Sequence, residues 1–534
     1  MANSKSAGEH APSVQPVRKI GFIELVLINT GLTIGCGLVV FGPMAASIAG
    51  PSILLILFIA LGISLALVMS MAEIATIFPF SGGPIYSIRY GFPPKMANFF
   101  LVIVLIPMVA LILGSGGTEA LAFAYYVKYL IPSLAVLPDA LIACLLILVV
   151  CGINYIGVKI FARTQFYLLI FMLVGLIIWG VLAIPHTQME LYKQPFFSEG
   201  LTPLLFLAAL GLAYWAFVGT ELGGTLAGET KYPLTIMPKA FIISALLIFL
   251  VNAWVLGIAI GLAPAEVLGA PTAAPIAAAT RYAGAGGLAI MIIALSAAIG
   301  MHPPTLNANL SETGRTLYAT AKEGALPKWF GNLSPKFKTP GNALIFVAIL
   351  FCAVIAPNLV MILGAGACAM SAVIYIVLML SIIMLKIRKP NIERPFKIHI
   401  AVPILAIVFS AALPVGLTYY IGTQVALEMG VSQTMGEIIS AVLGLLFIVI
   451  AVIIYFVARK KMDIPASIEE FKEKVMKVDD DETIPEEEWT ELRAPLRATG
   501  DELKKINKQY HILLTICLVL MVITAAFTAY LYFL

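Results

Sequence analysis

The groups in this chain best placed to do chemistry belong to the backbone, and they cluster at two interruptions of apolar sequence. The first lies within residues 20–49, where Thr33, Ile34, Gly35, Cys36 and Gly37 break a hydrophobic run. The second lies within residues 201–226 and is broken at Phe217, Val218, Gly219, Thr220 and Glu221, with Gly223 and Gly224 following. A helix that unwinds inside a bilayer strands N–H and C=O groups at a cost of several kcal/mol each, so such a break must face protein, water or a ligand. A half-helix restarting near Gly37 offers free N–H groups and a positive dipole end to an anion such as a carboxylate. The carbonyls of residues 217–220 suit a cation such as an ammonium, with the rings of Tyr214, Trp215 and Phe217 nearby. Together the breaks describe a binding site for a zwitterion or an amine. Close helix packing on small residues accounts for a single Gly-x-x-x-Gly, but less well for two matched breaks.

Ionisable side chains inside apolar spans are costly and call for a reason. Glu221 directly follows the second break, where it can sense substrate or carry a proton if burial favours its neutral form. His302 sits mid-span before Pro303 and Pro304, which interrupt the helix ladder; proton handling and a satisfied buried histidine both fit it. Glu24 and Glu119 fall nearer the expected membrane interfaces and read as structural, although in a carrier of organic cations Glu119 would join Glu221 in recognition. Asn307 and Asn309 either line a polar path or bond neighbouring helices. Nothing resembles a nucleophile beside a base, a phosphate loop or a metal cluster, so neither an enzyme nor a cofactor is expected.

The elements that must position these residues are membrane helices. Of 534 residues, 61% are hydrophobic and 12% charged, and the mean hydropathy of +1.00 lies beyond ordinary soluble domains. About twenty apolar residues span the hydrocarbon, which predicts thirteen spans, starting near residues 20, 52, 97, 136, 164, 201, 236, 285, 342, 359, 401, 434 and 510. Helical length excludes a transmembrane barrel. The first nineteen residues lack the apolar core of a signal peptide. With the N-terminus inside, the predicted inner loops gather most Lys and Arg, while the outer loops carry only Lys128, Lys193 and Arg281, which sets the orientation in the cell membrane. The net charge of +4 therefore reports topology, and without basic patches interleaved with aromatics no nucleic-acid partner is expected. Cys36, Cys144, Cys151, Cys352, Cys368 and Cys517 all lie in apolar spans with no C-x-x-C pair, against a disulfide framework or zinc site.

Spans one to five and six to ten overlay so that each broken segment opens its set. Five is odd, so the second set starts from the opposite side, as inverted repeats around a midplane site do. The chain divides into a cytosolic tail (1–19), a twelve-helix core (20–458), an acidic cytosolic linker (459–509) and an added span (510–534) ending outside. In the linker, Ser467 with Glu470 forms a capping box before Ile468, Phe471, Val475 and Val478, an apolar stripe of a short amphipathic helix. The acidic runs 479–482 and 486–488 read as a solvated face. A second box, Thr499 with Glu502, starts a helix leading through Leu503 and Ile506 into the last span. That span is either an anchor in lipid or a surface for the core, a second copy or an accessory partner.

At these breaks the sequence resembles the amino acid–polyamine–organocation transporter superfamily. Gly35, Cys36 and Gly37 stand where its loop has Gly-Ser-Gly; Ala72, Glu73, Ile74, Ala75 and the string 78–86 resemble its signature ending span two. Residues 154–159 are similar to its loop before span five, and 219–229 with Pro233 to span six and its exit. Arg315, Leu317, Tyr318, Gly324, Leu326 and Pro327, then Arg394, Pro395 and Phe396, resemble its later inner loops. The resemblance implies two inverted five-helix repeats plus two helices, alternating access, and a substrate between spans one, three, six and eight. It implies that Trp215 is similar to the aromatic gate of the arginine/agmatine antiporters and Glu221 to their proton-sensitive glutamate. Where its cationic branch carries a span-five lysine in place of sodium, this chain has Met172. Proton coupling, sodium coupling and exchange stay open. So do a polyamine or organic-cation carrier and a transporter-like amino acid sensor signalling through the tail, beside an amino acid permease.

Overall fold

With no water in the hydrocarbon, each apolar run satisfies its own backbone as a helix, and the computed structural model is helical almost throughout. It describes residues 18–79, 83–156, 158–270, 274–322, 326–337, 339–355, 360–458 and 496–533. In chain order the helices are α1 Phe22–Thr33, α2 Gly42–Ala49, α3 Ile53–Ile77, α4 Gly83–Gly91, α5 Pro94–Leu130 and α6 Asp139–Ile156. There follow α7 Val158–Ala183, α8 Met189–Tyr192, α9 Pro203–Tyr214, α10 Pro233–Leu262, α11 Ala265–Leu268, α12 Pro275–Tyr282 and α13 Gly286–Leu295. The remainder are α14 His302–Lys322, α15 Gly341–Ile355, α16 Val360–Arg388, α17 Ala401–Met429, α18 Gln433–Ala458 and α19 Gly500–Phe533.

Among the described residues 9 helices are long and apolar enough to cross a membrane, and Phe22–Thr33, Pro203–Phe217 and Gly341–Ala353 are shorter apolar helices. The chain is a polytopic, all-helical membrane protein. Large apolar side chains such as Leu148, Val181, Val408 and Val522 stand exposed on the outer helices, as on a protein surrounded by lipid.

Local sequence explains the irregular joints. Ile34 is extended (φ −78, ψ 104) after α1, and a π-helical turn at Gly37–Phe41 leads into α2. After α9 and a tight turn at Trp215–Phe217, Val218 is extended and Gly219 adopts φ 110, a left-handed value that glycine accepts without strain. Pro303 and Pro304 stand inside the continuous helix Gly286–Tyr318, directly after a π-helical turn at Ser296–Met301 that shifts the backbone ladder ahead of them. Glu24 is structural: its Oε2 accepts from Gly21 N–H at 2.7 Å, capping α1.

Among the described residues, buried apolar side chains form two clusters. The larger joins α1, α2, α3, α9 and α10 with neighbouring helices. The smaller is built by α5, α6, α14 and α15 around Ile112, Ile147, Leu310 and Phe351.

The helix expected from Thr499 runs unbroken as α19 and seats on the core: Ala498 N–H donates to Thr235 Oγ1 at 3.1 Å, Lys239 Nζ to Asn507 Oδ1, and Ile506, Cys517, Thr528 and Leu531 are buried. The predicted amphipathic helix at 467–478 and the acidic runs lie outside the described residues, as do Phe80, Ser81 and Gly82 of the span-two signature, Gly157 of the loop before span five and Gly324.

The two broken segments are tied together ahead of α1. Lys19 and Ile20 N–H groups donate to Glu229 O at 2.9 and 3.0 Å, and Lys231 N–H donates to Ile20 O at 2.9 Å. Arg18 donates to Ala227 O (2.7 Å), Thr230 O (3.1 Å) and Pro79 O (2.9 Å), and burial draws its pKa below the ordinary arginine value. Arg18→Ala is expected to loosen this end of the molecule, read as faster maleimide labelling of Cys36 than in the parent protein; unchanged labelling would show that the clasp does not control access.

Candidate functional site

The two breaks meet. A Cβ on Gly37 would lie 2.8 Å from Ala216 Cα and 3.0 Å from Trp215 Cδ1, so glycine is what permits this approach. Trp215 Nε1–H donates to Cys36 Sγ at 3.3 Å, and its ring stands edge-on to Phe41 at 5.4 Å. Thr33 Oγ1 and Thr220 Oγ1 lie 3.5 Å apart across the junction.

Beside the junction is a cavity of about 40 Å³, room for a few waters. Its wall takes Thr33 from α1, Ser115 and Glu119 from α5, Trp215 and Gly219 from the second break, and Thr305 and Asn309 from α14, closed by aliphatic side chains. Ile112 from the smaller cluster and Leu111 and Trp215 from the larger one all face it, so the cavity sits where the clusters meet.

The N–H group expected from sequence to face an anion at the first break is taken by a side chain of the protein. Cys36 N–H donates to Glu119 Oε1 at 2.7 Å, and Glu119 Oε2 lies 2.6 Å from His302 Nδ1 in a shared hydrogen bond. Glu119 is 1% exposed and His302 0%. Tyr126 stacks on the imidazole at 5.6 Å, and His302 Nε2 and Tyr126 OH are buried without a hydrogen-bond partner. A side chain on Gly35 would collide with the Glu119 carboxylate, so that glycine is what admits it.

Of the residues singled out from sequence, Thr33, Trp215, Val218 and Gly219 line the cavity, whereas Ile34, Gly35, Cys36, Gly37, Phe217 and Thr220 stand behind its wall. Ile34 O accepts from Thr305 Oγ1 at 3.3 Å, and Phe217 O accepts from Thr220 Oγ1 at 2.8 Å, so two exposed-looking carbonyls are already engaged. Glu221 lies in the helical turn Thr220–Gly228, and its side chain lies outside the described residues. Asn309 donates to Ser115 Oγ at 2.9 Å on the cavity wall, while Asn307 bonds Asn154 between α14 and α6. Met172 is buried against Gly300 of the π-helical turn before α14.

Sequence reasoning gave Glu119 a recognition role only in an amine carrier and otherwise expected a structural acid near an interface; the structure places its carboxylate on the first break. The available signal was an acid in an apolar run directly after Gly114, Ser115, Gly116, Gly117 and Thr118, small residues that let helices approach closely.

Residues 20–468 match the model of a family described as amino acid permease. The chain is similar to the branched-chain amino acid permease BcaP of Bacillus subtilis, at 26% identity over 425 residues, covering 75% of this chain and 88% of that protein. It is similar to a D-serine/D-alanine/glycine transporter of Escherichia coli at 26% identity over 371 residues, covering 64% of this chain and 73% of the relative. An uncharacterized transporter of Mycobacterium tuberculosis is 27% identical over 348 residues, covering 64% and 74% respectively.

Proposed function

The chain belongs to the amino acid permease family, and on that premise we propose that it is a secondary transporter moving amino acids across the cell membrane by alternating access. Family membership and transporter relatives make it a multi-pass membrane transporter of a small molecule rather than an enzyme. The observation that carries the mechanism is the cavity beside two abutting helix breaks, where the two buried clusters meet along α5. Helices packed on either side of such a seam can rock against each other, exposing the cavity first to one side and then to the other.

In this reading residues 20–458 form two inverted five-helix repeats plus two helices, α19 is a thirteenth span, the N-terminus is cytoplasmic and the C-terminus outside. The substrate's ammonium lies against carbonyls of the second break and Trp215 closes over it. A proton or sodium ion drives the cycle. Uptake in proteoliposomes of a panel of radiolabelled amino acids, with and without sodium and a pH gradient, tests the assignment: flux of at least one is expected, and none for the whole panel would sink it.

One observation favours a second reading, a carrier of amines: among the described residues lining the cavity the one ionisable side chain is the acid Glu119. Competition by putrescine but not by amino acids would establish that alternative. Truncation after residue 458 is expected to preserve flux, because α19 seats on the outside of the core, away from the cavity. A wild-type chain that binds an amino acid without moving it would instead be a sensor.

A further inference from the structure

We infer that Glu119 is a built-in stand-in for the substrate's carboxylate, and that a carboxylate-bearing substrate binds by displacing it from Cys36 N–H while the Glu119–His302 pair takes up a proton. This rests on the transport reading above and names the coupling ion for it.

The half-helix start is the place in this fold suited to a carboxylate, and a carboxylate already occupies it, 2.7 Å from Cys36 N. The occupant is an ionisable side chain of the cavity wall, not a remote structural group. An incoming carboxylate must therefore share the site with Glu119 or replace it. Two carboxylates that close cannot both stay ionised without a neutralising proton, and the described cavity lining supplies neither Lys nor Arg. A proton arriving from the open side and held in the Glu119–His302 hydrogen bond resolves the conflict: the pair loses its negative charge, Glu119 releases the N–H to the substrate, and it keeps His302 as its partner, 2.6 Å away in the present state. After the substrate leaves, the pair gives the proton to the opposite side and Glu119 returns to Cys36. One proton then travels with each substrate, and no covalent bond is made or broken.

The groups facing the pair are consistent with exchange at Glu119 itself. The first break brings the Cys36 thiol and α5 brings Tyr126, stacked on the imidazole. Met172 enters from α7 through Gly300, α13 is free of titratable side chains over Gly286–Leu295, and the second break contributes the indole of Trp215. Acidic pH therefore favours binding of a carboxylate-bearing substrate, whereas an amine without a carboxylate has no need of the exchange.

The test is calorimetry on the full-length purified protein, titrating L-alanine and L-leucine, and their carboxylate-free counterparts ethylamine and isopentylamine, in two buffers of different ionisation enthalpy. The expected result is uptake of about one proton per amino acid bound, the linkage of a single group, and none with an amine. In Glu119→Gln the proton uptake disappears and amino acid affinity no longer depends on pH. Amino acid binding by the wild type without proton uptake overturns the inference and leaves the transport reading standing, as does a Glu119→Gln protein that still takes up the proton. Should that variant fail to fold, the wild-type measurements decide alone. Failure of every amino acid to bind or move sinks the transport reading instead.

Discussion

Replacing Gly37 by alanine is expected to cripple transport while leaving the protein folded and in the membrane. The new methyl would sit 2.8 Å from Ala216 Cα and 3.0 Å from Ala216 N. Both are backbone atoms of the second break, which cannot rotate away as a side-chain tip does. The segments must separate by several tenths of an ångström, against the Trp215 to Cys36 hydrogen bond and the Phe41 contact that hold them. Inserting one methyl group into a tight contact costs about 1–3 kcal/mol, small beside the burial of the whole bundle. Charged to one step of a cycle, the same sum lowers the population of the closed state by roughly 5- to 150-fold. The initial uptake rate in proteoliposomes should fall within that range at normal expression. Gly62→Ala supplies the control, because nothing lies within 4 Å of a Cβ there. Full uptake by the Gly37 variant would mean that the junction does not close tightly during transport.

Gly35→Ala makes a contrasting case. Its methyl would meet the end of the Glu119 side chain, which can swing aside. The expected outcome is folded protein whose amino acid affinity has lost most of its pH dependence, measured by the same titrations. A pH profile like that of the parent would show that Glu119 keeps its seat.

The breaks were legible because their signal is local. Glycine and small polar residues interrupt apolar runs, and the structure ends α1 at Thr33 and needs φ 110 at Gly219, a conformation written in the residue type itself. The Glu24 cap is equally local, its partner lying three residues away, but from sequence Glu24 reads only as a structural acid. Glu119 was not. Counting twenty residues from the start of its span puts position 119 at a membrane interface, yet α5 has 37 residues and at 1.5 Å per residue extends to roughly 55 Å, far longer than the hydrocarbon is thick. Depth along so long a helix cannot be found by counting. The partner that gives Glu119 its role, His302, is 183 positions away, and only the packing of α5 against the π-helical turn and α14 brings them together. Similarly, backbone carbonyls near Phe217 looked open to a ligand because the sequence does not show that Thr220 turns its hydroxyl back on one of them.

The largest loss of stability is expected from Glu73→Gln, remote from the cavity. Glu73 is fully buried near the end of α3 and gathers charges from a distant part of the chain. Lys386 Nζ lies 2.6 and 2.8 Å from its oxygens, Arg394 Nε 3.3 Å away, and Ile398 N–H donates to it at 3.1 Å. Arg394 turns its other donors on the backbone that leaves α16, to Leu385 O (3.1 Å), Lys389 O (2.9 Å), Pro390 O (2.9 Å) and Ile392 O (3.0 Å). Burial pushes the Arg394 pKa down while Glu73 pulls it back up; without the carboxylate only the unfavourable influence remains. Removing one partner of a buried charge cluster typically costs about 3–5 kcal/mol, because the other charges stay desolvated and unpaired. Glu73→Gln should therefore lower the melting midpoint in detergent markedly, and adding Lys386→Met should recover part of the loss by removing one orphaned cation. Uptake by whatever protein survives at low temperature should persist, since no member of the cluster touches the cavity wall. If Glu73→Gln melts with the wild type, the cluster does not clamp α3 to the α16–α17 connection; if it melts early but the double variant melts earlier still, the Lys386 side chain stabilises through its packed stem rather than through its charge.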